Sequence, residues 1–195
     1  MGSLEVICGP MFSGKTEELI RRLKRAVIAK KRVQIFKPRI DARYEAEMVV
    51  SHSAQKIHCT LVDRAEEIAA KVSADTEVVG IDEVQFLGTG AVEVCQRLAD
   101  KGVRVIVAGL DLDYRGVPFD PMPQLLAVAE SITKELAICV VCGGPGSRSQ
   151  RTVAAEERVV VGAAGQYEPR CRKCFSPEPR PATDPPEQTL MSFAR

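Results

Sequence analysis

The chain has 195 residues, with 27 basic and 26 acidic side chains for a formal net charge of +1. That length makes one ordinary domain, or a domain plus a small module, with a core that needs no staples. Balanced charge gives no electrostatic case for a dedicated nucleic-acid binder, and no apolar run approaches the roughly 20 residues of a membrane span.

The apolar run Leu4 to Cys8 predicts a first strand, with no signal peptide before it. Gly9-Pro10-Met11-Phe12-Ser13-Gly14-Lys15-Thr16 follows, and then a helical pattern opens. This is G-x-x-x-x-G-K-[ST] between strand and helix, the context that gives the motif its meaning. Its glycines let successive N–H groups point inward, and these combine with the positive end of the helix to cradle phosphate. Lys15 can reach the β- and γ-phosphates of ATP, and the Thr16 hydroxyl can ligate Mg²⁺.

From Thr16 to Lys30, apolar residues at Leu19, Ile20, Leu23, Ala26 and Val27 predict a helix whose basic opposite face is solvated. Val33 to Phe36 reads as a strand stopped by Pro38, and residues 39–56 as a long polar loop. Ile57 to Val62 reads as a short strand, and Asp63 with Glu66 as a capping box for a helix over Arg64 to Val72. Glu77 to Glu83 is a β-branched strand ending in two acids. A helix over Ala91 to Lys101, stopped by Gly102, precedes the wholly apolar strand Val103 to Leu110. Leu125 to Ser131 reads as a further helix. Short apolar strands joined by helices predict an α/β fold with a parallel sheet and a ligand at the strands' carboxyl ends.

The acids at the end of the run Val78 to Glu83 fit a second phosphotransfer element. Asp82 is placed to help hold Mg²⁺. Glu83 would point the other way on a continuing strand, but at a strand end it can face the reacting phosphate as a base. Water as acceptor would give an ATPase, and a hydroxyl would give a kinase.

Of the seven cysteines, four form two C-x-x-C knuckles, Cys139/Cys142 and Cys171/Cys174. Together they predict a closed, structural Cys₄ zinc site in a reduced, cytoplasmic protein. Cys8, Cys59 and Cys95 lie in apolar segments and read as core. The loop closed by the metal carries a short strand, Val159 to Gly162, and Tyr167, a combination suited to reading the edge of a flat ligand. The chain divides into a nucleotide-binding domain (1–136), a zinc-binding lid (137–175) and a proline-rich, disordered tail (176–195).

These pieces, taken in order, resemble the type II, zinc-containing thymidine kinase family. The likeness rests on GPMFSGKT, on Asp41-Ala42-Arg43-Tyr44, and on IDEVQF at Ile81 to Phe86. It continues through GLDLDYRGVPF at Gly109 to Phe119, the two knuckles, and Gly165-Gln166-Tyr167. The resemblance implies a P-loop, RecA-like sheet with a zinc-ribbon lid, and ATP-dependent phosphorylation of the thymidine 5′-hydroxyl. It assigns Glu83 as the base and Arg43 as the neutraliser of charge on the moving phosphoryl group. Lys15, Thr16 and Asp82 serve the phosphates and Mg²⁺, and Val84 and Gln85 fall in the stretch that contacts nucleotide. Met11, Phe86, Leu110, Tyr114 and Phe119 would wall the base pocket. Ser149 would sit near the thymine methyl, the backbone of Val159, Val160, Val161 and Gly162 would bond the base, and Tyr167 would contact the sugar or the lid. Tyr114 stands where the family usually has phenylalanine, so its hydroxyl must find a partner, and Ser149 stands where threonine is common, which loosens discrimination against deoxyuridine. Homotetramers and feedback by dTTP are implied by the family alone. Two rivals are a P-loop ATPase whose zinc module binds nucleic acid or protein, and a catalytically dead nucleotide sensor. Charge balance opposes the first, and the intact Gly14-Lys15-Thr16 and Asp82-Glu83 oppose the second.

Overall fold

A computed structural model describes residues 1–39, 48–50, 56–153 and 165–178. Six parallel strands form the central sheet. These are β1 (Ser3–Cys8), β2 (Val33–Pro38), β5 (Thr60–Val62), β6 (Val78–Ile81), β7 (Arg104–Gly109) and β8 (Ser131–Lys134), in the order β5-β2-β6-β7-β1-β8. Between β2 and β5, β3 (Met48–Val50) and β4 (Lys56–His58) pair antiparallel as a separate ribbon. The predicted strand over Ile57 to Val62 is therefore two strands in two sheets, broken at Cys59.

The sheet is covered on both faces, and the side-chain alternation of its strands shows it. Leu4, Val6 and Cys8 of β1, with Val105 and Val107 of β7, enter one core cluster, while Ile7, Ile106 and Ala108 enter the other. The second cluster lies under α1 (Lys15–Ile28), through Leu19, Ile20, Leu23 and Ala26. The first lies under α2 (Ala65–Lys71), α3 (Gly90–Asp100) and α4 (Met122–Val128). Gly80 lets α1 approach, because a Cβ there would lie 2.7 Å from Leu23 Cδ1. Among the described residues no helix is long and apolar enough to cross a membrane.

Several local expectations shift. Pro38 does not stop β2 but closes it, at a position where the missing N–H is tolerated. α2 begins at Ala65 without a side-chain cap. Glu67, rather than Glu66, reaches back to accept the Asp63 N–H at 3.1 Å. The predicted helix over Leu125 to Ser131 starts at Met122 with a proline in its first turn, and ends at Val128. The chain then turns extended, and the β-branched Ile132 and Thr133 add β8 alongside β1. Nor is the basic face of α1 wholly solvated. Arg22 donates to Glu18, to Glu5 of β1 and to Thr133 of β8.

Beyond β8 the chain forms two small antiparallel pairs. One is β9 (Ala137–Ile138) with β10 (Pro145–Gly146), the other β11 (Arg148–Arg151) with β12 (Tyr167–Arg170). Ser176 N–H donates to Gln150 Oε1, and Gln150 Nε2 donates to the Glu178 carbonyl, so the start of the predicted tail is tied to β11. The rest of that tail, from residue 179, lies outside the described residues.

Candidate active site

The loop after β1 is shaped by backbone demands. Gly9 has φ 142°, and a Cβ there would lie 2.2 Å from the Glu135 carbonyl oxygen, so only glycine fits. Gly14 caps α1 in the left-handed region at φ 88°. Lys15 is buried and folds back so that Nζ donates to the Pro10 carbonyl at 2.6 Å. Burial lowers its pKa, against the opposing pull of Glu83, Asp82 and Asp111. Ser13 Oγ is buried without a partner among the described residues, which suits a loop shaped for an anion with many acceptors.

β6 brings its acids to this loop. The Thr16 hydroxyl lies 3.4 Å from both oxygens of Asp82. Two oxygens held by one Mg²⁺ at ligand distances of about 2.1 Å come roughly 3 Å apart, so the pair fits that ion. Burial raises the Asp82 pKa to about 7, with Glu83 adding to the rise. The strand ends at Ile81, and Glu83 adopts φ 51° and ψ 40°, then leads into a 3-10 turn over Val84–Leu87. A non-glycine residue in that region costs on the order of 1 kcal/mol or more. The left-handed turn at Glu83 breaks strand alternation, so the facing rule for a continuing strand no longer applies to its side chain.

Gln85 is buried. Its Nε2 donates to Glu83 Oε2 at 2.6 Å, and its Oε1 accepts the Leu110 N–H at 3.1 Å. Val84 is buried in the core. Phe86, in the 3-10 turn, and Phe119, beyond β7, pack edge to face with centroids 5.8 Å apart. Gly116, at φ 76°, turns the chain so that Phe119 N–H returns to the Asp111 carbonyl.

The hydroxyl of Tyr114 has a partner, since Arg115 Nε donates to it at 2.9 Å. One face of the ring carries the guanidinium of Arg151, 3.5 Å from the centroid. Arg151 is fully buried and also donates to the Tyr167 hydroxyl at 3.0 Å. Ser149 is buried, and its Oγ accepts the Met11 N–H at 3.0 Å, which ties β11 to the phosphate loop. Arg43 and the stretch Val159, Val160, Val161 and Gly162 lie outside the described residues.

Two side chains in this region escaped the sequence reading. Asp111 ends β7 much as Asp82 ends β6. It is buried, with one oxygen on Lys134 Nζ at 2.6 Å and Oδ1 without a partner among the described residues. A strand followed by an acid was the signal for it. Arg151 sits in a polar stretch with no such signal, and only the fold reveals its burial.

The sulfurs of Cys139, Cys142, Cys171 and Cys174 all lie within 4.8 Å of one another, and those of Cys142 and Cys171 are 3.7 Å apart. Four bonds of about 2.3 Å in a tetrahedron give edges of about 3.8 Å, so the cluster fits a closed zinc site. Burial pushes the Cys139 thiol up, but N–H groups of Cys171, Cys142 and Val141 outweigh it and hold it at about 6. Cys174 is raised to about 12, chiefly by the Cys171 side chain, because four crowded sulfurs cannot all ionise without a cation. Of the other cysteines, Cys8 and Cys95 are buried, while Cys59 is only partly so.

The family model described as "Thymidine kinase" matches residues 2–175. Among curated relatives, a thymidine kinase of Rhodothermus sp. is 58% identical over 183 residues, covering 94% of this chain and 85% of the relative. One from Bdellovibrio bacteriovorus is 55% identical over 91% of this chain and 87% of its own length. One from Porphyromonas gingivalis is 53% identical over 95% of this chain and 89% of its own. On the family model that spans residues 2–175 and on these identities, the chain belongs to the thymidine kinase family.

Proposed function

We propose that the protein transfers the γ-phosphoryl group of ATP to the 5′-hydroxyl of thymidine, giving dTMP and ADP. The observation that carries this is the meeting of Asp82 and Glu83, at the end of β6, with Lys15 and Thr16 at the start of α1. Backbone N–H groups of residues 9–16 and the Lys15 ammonium would bind the phosphates, and Thr16 and Asp82 would hold Mg²⁺, which screens the charge that builds up during transfer. The thymidine oxygen bonds to phosphorus as the bond to the ADP oxygen breaks, and the hydroxyl proton passes to Glu83. Arg43 is assigned to the moving phosphoryl group by family resemblance.

Met11, Phe86, Leu110, Tyr114 and Phe119 would wall the base pocket, with Ser149, Tyr167 and residues 159–162 closing it from the lid. The four cysteines would hold a structural Zn²⁺. Deoxyuridine would serve as a second substrate, given serine at 149. A homotetramer and inhibition by dTTP rest on family resemblance, and a cytoplasmic location on the thiol content.

Purified protein with MgATP and thymidine should yield dTMP, and Glu83→Gln should cut kcat by about 10²-fold or more while both substrates still bind. Absence of dTMP, together with ATP hydrolysis stimulated by DNA, would favour the ATPase reading. Unchanged turnover in Glu83→Gln would remove the base.

A further inference from the structure

A general base works only if its carboxylate is held within hydrogen-bond reach of the proton it takes. Glu83 has a backbone fixed by its left-handed turn and by the Phe86 N–H on its carbonyl at 3.1 Å. Its side chain still has three rotatable bonds. The structure supplies one restraint on them, the 2.6 Å bond from Gln85 Nε2 to Glu83 Oε2.

The orientation of that amide is set by its surroundings. A carboxylate only accepts and a backbone N–H only donates, so Nε2 must face Glu83 and Oε1 must face Leu110. Gln85 is 3% exposed, so water does not compete for either bond. The space around the amide is filled as well. A Cβ on Gly109 would lie 2.7 Å from Gln85 Oε1, so the glycine at the end of β7 leaves room for the amide. Leu110 is the next residue and belongs to the candidate nucleoside wall. A single buried amide thus ties the acid at the end of β6 to the backbone beside the nucleoside at the end of β7.

We propose that Gln85 is a positioning residue, whose amide sets the Glu83 carboxylate at a fixed place relative to the nucleoside wall and leaves Oε1 of Glu83 to take the proton. The proposal rests on Glu83 as the base. It also gives Gln85 a task other than contact with nucleotide, since both ends of its amide are engaged within the protein.

The test compares the full-length wild type with Glu83→Gln, Gln85→Met, the double variant, and Gln85→Glu at saturating MgATP, reading kcat, thymidine KM and thermal midpoint. Gln85→Met should lower kcat by about 10- to 100-fold, the scale of a small misplacement of a reacting group. Thymidine KM should stay within about threefold, because the pocket wall is kept. On top of Glu83→Gln, the same change should lower kcat by less than about threefold, since a residue acting through Glu83 has nothing left to position. Gln85→Glu keeps the acceptor for Leu110 N–H and the side-chain volume, but faces Glu83 with a second carboxylate. It should fold and be at least as slow as Gln85→Met, which keeps the test open if Gln85→Met does not fold. Wild-type kcat in Gln85→Met or Gln85→Glu, with Glu83→Gln inactive, overturns the positioning role alone. So does a Gln85→Met loss that multiplies in full with that of Glu83→Gln. A fully active Glu83→Gln overturns the base and the positioning role together.

Discussion

Arg151 is the largest fully buried side chain described in the protein, and it carries a charge. Burying a guanidinium is costly unless its charge and its donors are met. Here the Tyr114 ring meets the charge, 3.5 Å from the guanidinium carbon, and the Tyr167 hydroxyl takes one donor. The residue therefore bolts the turn after β7 to the β11–β12 pair, two walls of the candidate nucleoside pocket. Arg151→Ala should cost about 2–4 kcal/mol of stability and raise thymidine KM, and Arg151→Lys should not restore either, because an ammonium lacks the flat face that stacks on the ring. Tyr114→Phe keeps that face and loses only the contact with the Arg115 side chain, so it should change stability by less than about 0.5 kcal/mol. Urea midpoints and steady-state kinetics of the three variants check this. Equal losses in Arg151→Ala and Tyr114→Phe would show that the hydroxyl, and not the stacked cation, holds the two walls together.

Helix α1 is fastened to the sheet by more than its apolar stripe. Arg22 reaches Glu5 on β1 at 2.7 Å, Glu18 one turn back at 2.7 Å and Thr133 on β8 at 2.8 Å. Hydrogen bonds from Arg21, and then from Arg22, lower the Glu18 pKa from 4.5 to about 2. Burial pushes the Glu5 carboxyl up, but Arg104 and Arg22 outweigh it and leave it lowered. Both carboxylates thus have folded values below their unfolded ones. The contribution of Glu18 is present above about pH 4.5 and is lost as the pH falls toward 2, and that of Glu5 is lost in the same direction as the pH falls. Arg22→Met should cost about 1–2 kcal/mol at pH 7. The gap to wild type should shrink steadily from pH 5 to pH 3 in urea titrations, and a gap independent of pH would rule out the ion pairs as its source.

The same helix shows what the sequence could and could not reveal about elements. The apolar stripe of α1, the all-apolar β7 and the acid-ended β6 were legible because each is a local pattern with a single physical reading. The boundary between α4 and β8 was not. Leu125 to Ser131 holds enough apolar residues for a helix, and it is pairing with β1, distant in sequence, that recruits Ser131 to Lys134 into the sheet. The solvated reading of the basic face failed at Arg22 for the same reason, since its partners on β1 and β8 are 17 and 111 residues away. At the site, the glycine loop, Asp82 and Glu83 were readable from strand-end patterns. Gln85's grip on Glu83 and Arg151's burial depend on which strand ends meet.

For the whole molecule, the question is how the cysteine cluster acts on a site built from other elements. β12 runs directly into Cys171, and β11 is registered against it with Arg151 opposite Tyr167 and Ser149 opposite Pro169. Arg151 stacks on Tyr114, and Ser149 accepts the Met11 N–H of the phosphate loop. A metal on the four sulfurs would therefore hold the end of β12, and through it one wall of the candidate nucleoside pocket. Lys15, Thr16, Asp82 and Glu83 stand on the main sheet and on α1, which carry their own core. Cys171→Ser should lose bound zinc by elemental analysis and raise thymidine KM by about 10-fold or more, the scale seen when the support of a metal site is removed. ATP KM should move by less than about threefold, because Lys15 and Thr16 rest on α1 and the main sheet, and the one bond from Ser149 to the Met11 N–H is a small part of what shapes the loop. A metal-free variant with unchanged thymidine KM would show that the cluster has no hold on the pocket. An equal loss of ATP and thymidine binding would show that the metal supports the whole fold, and not the lid alone.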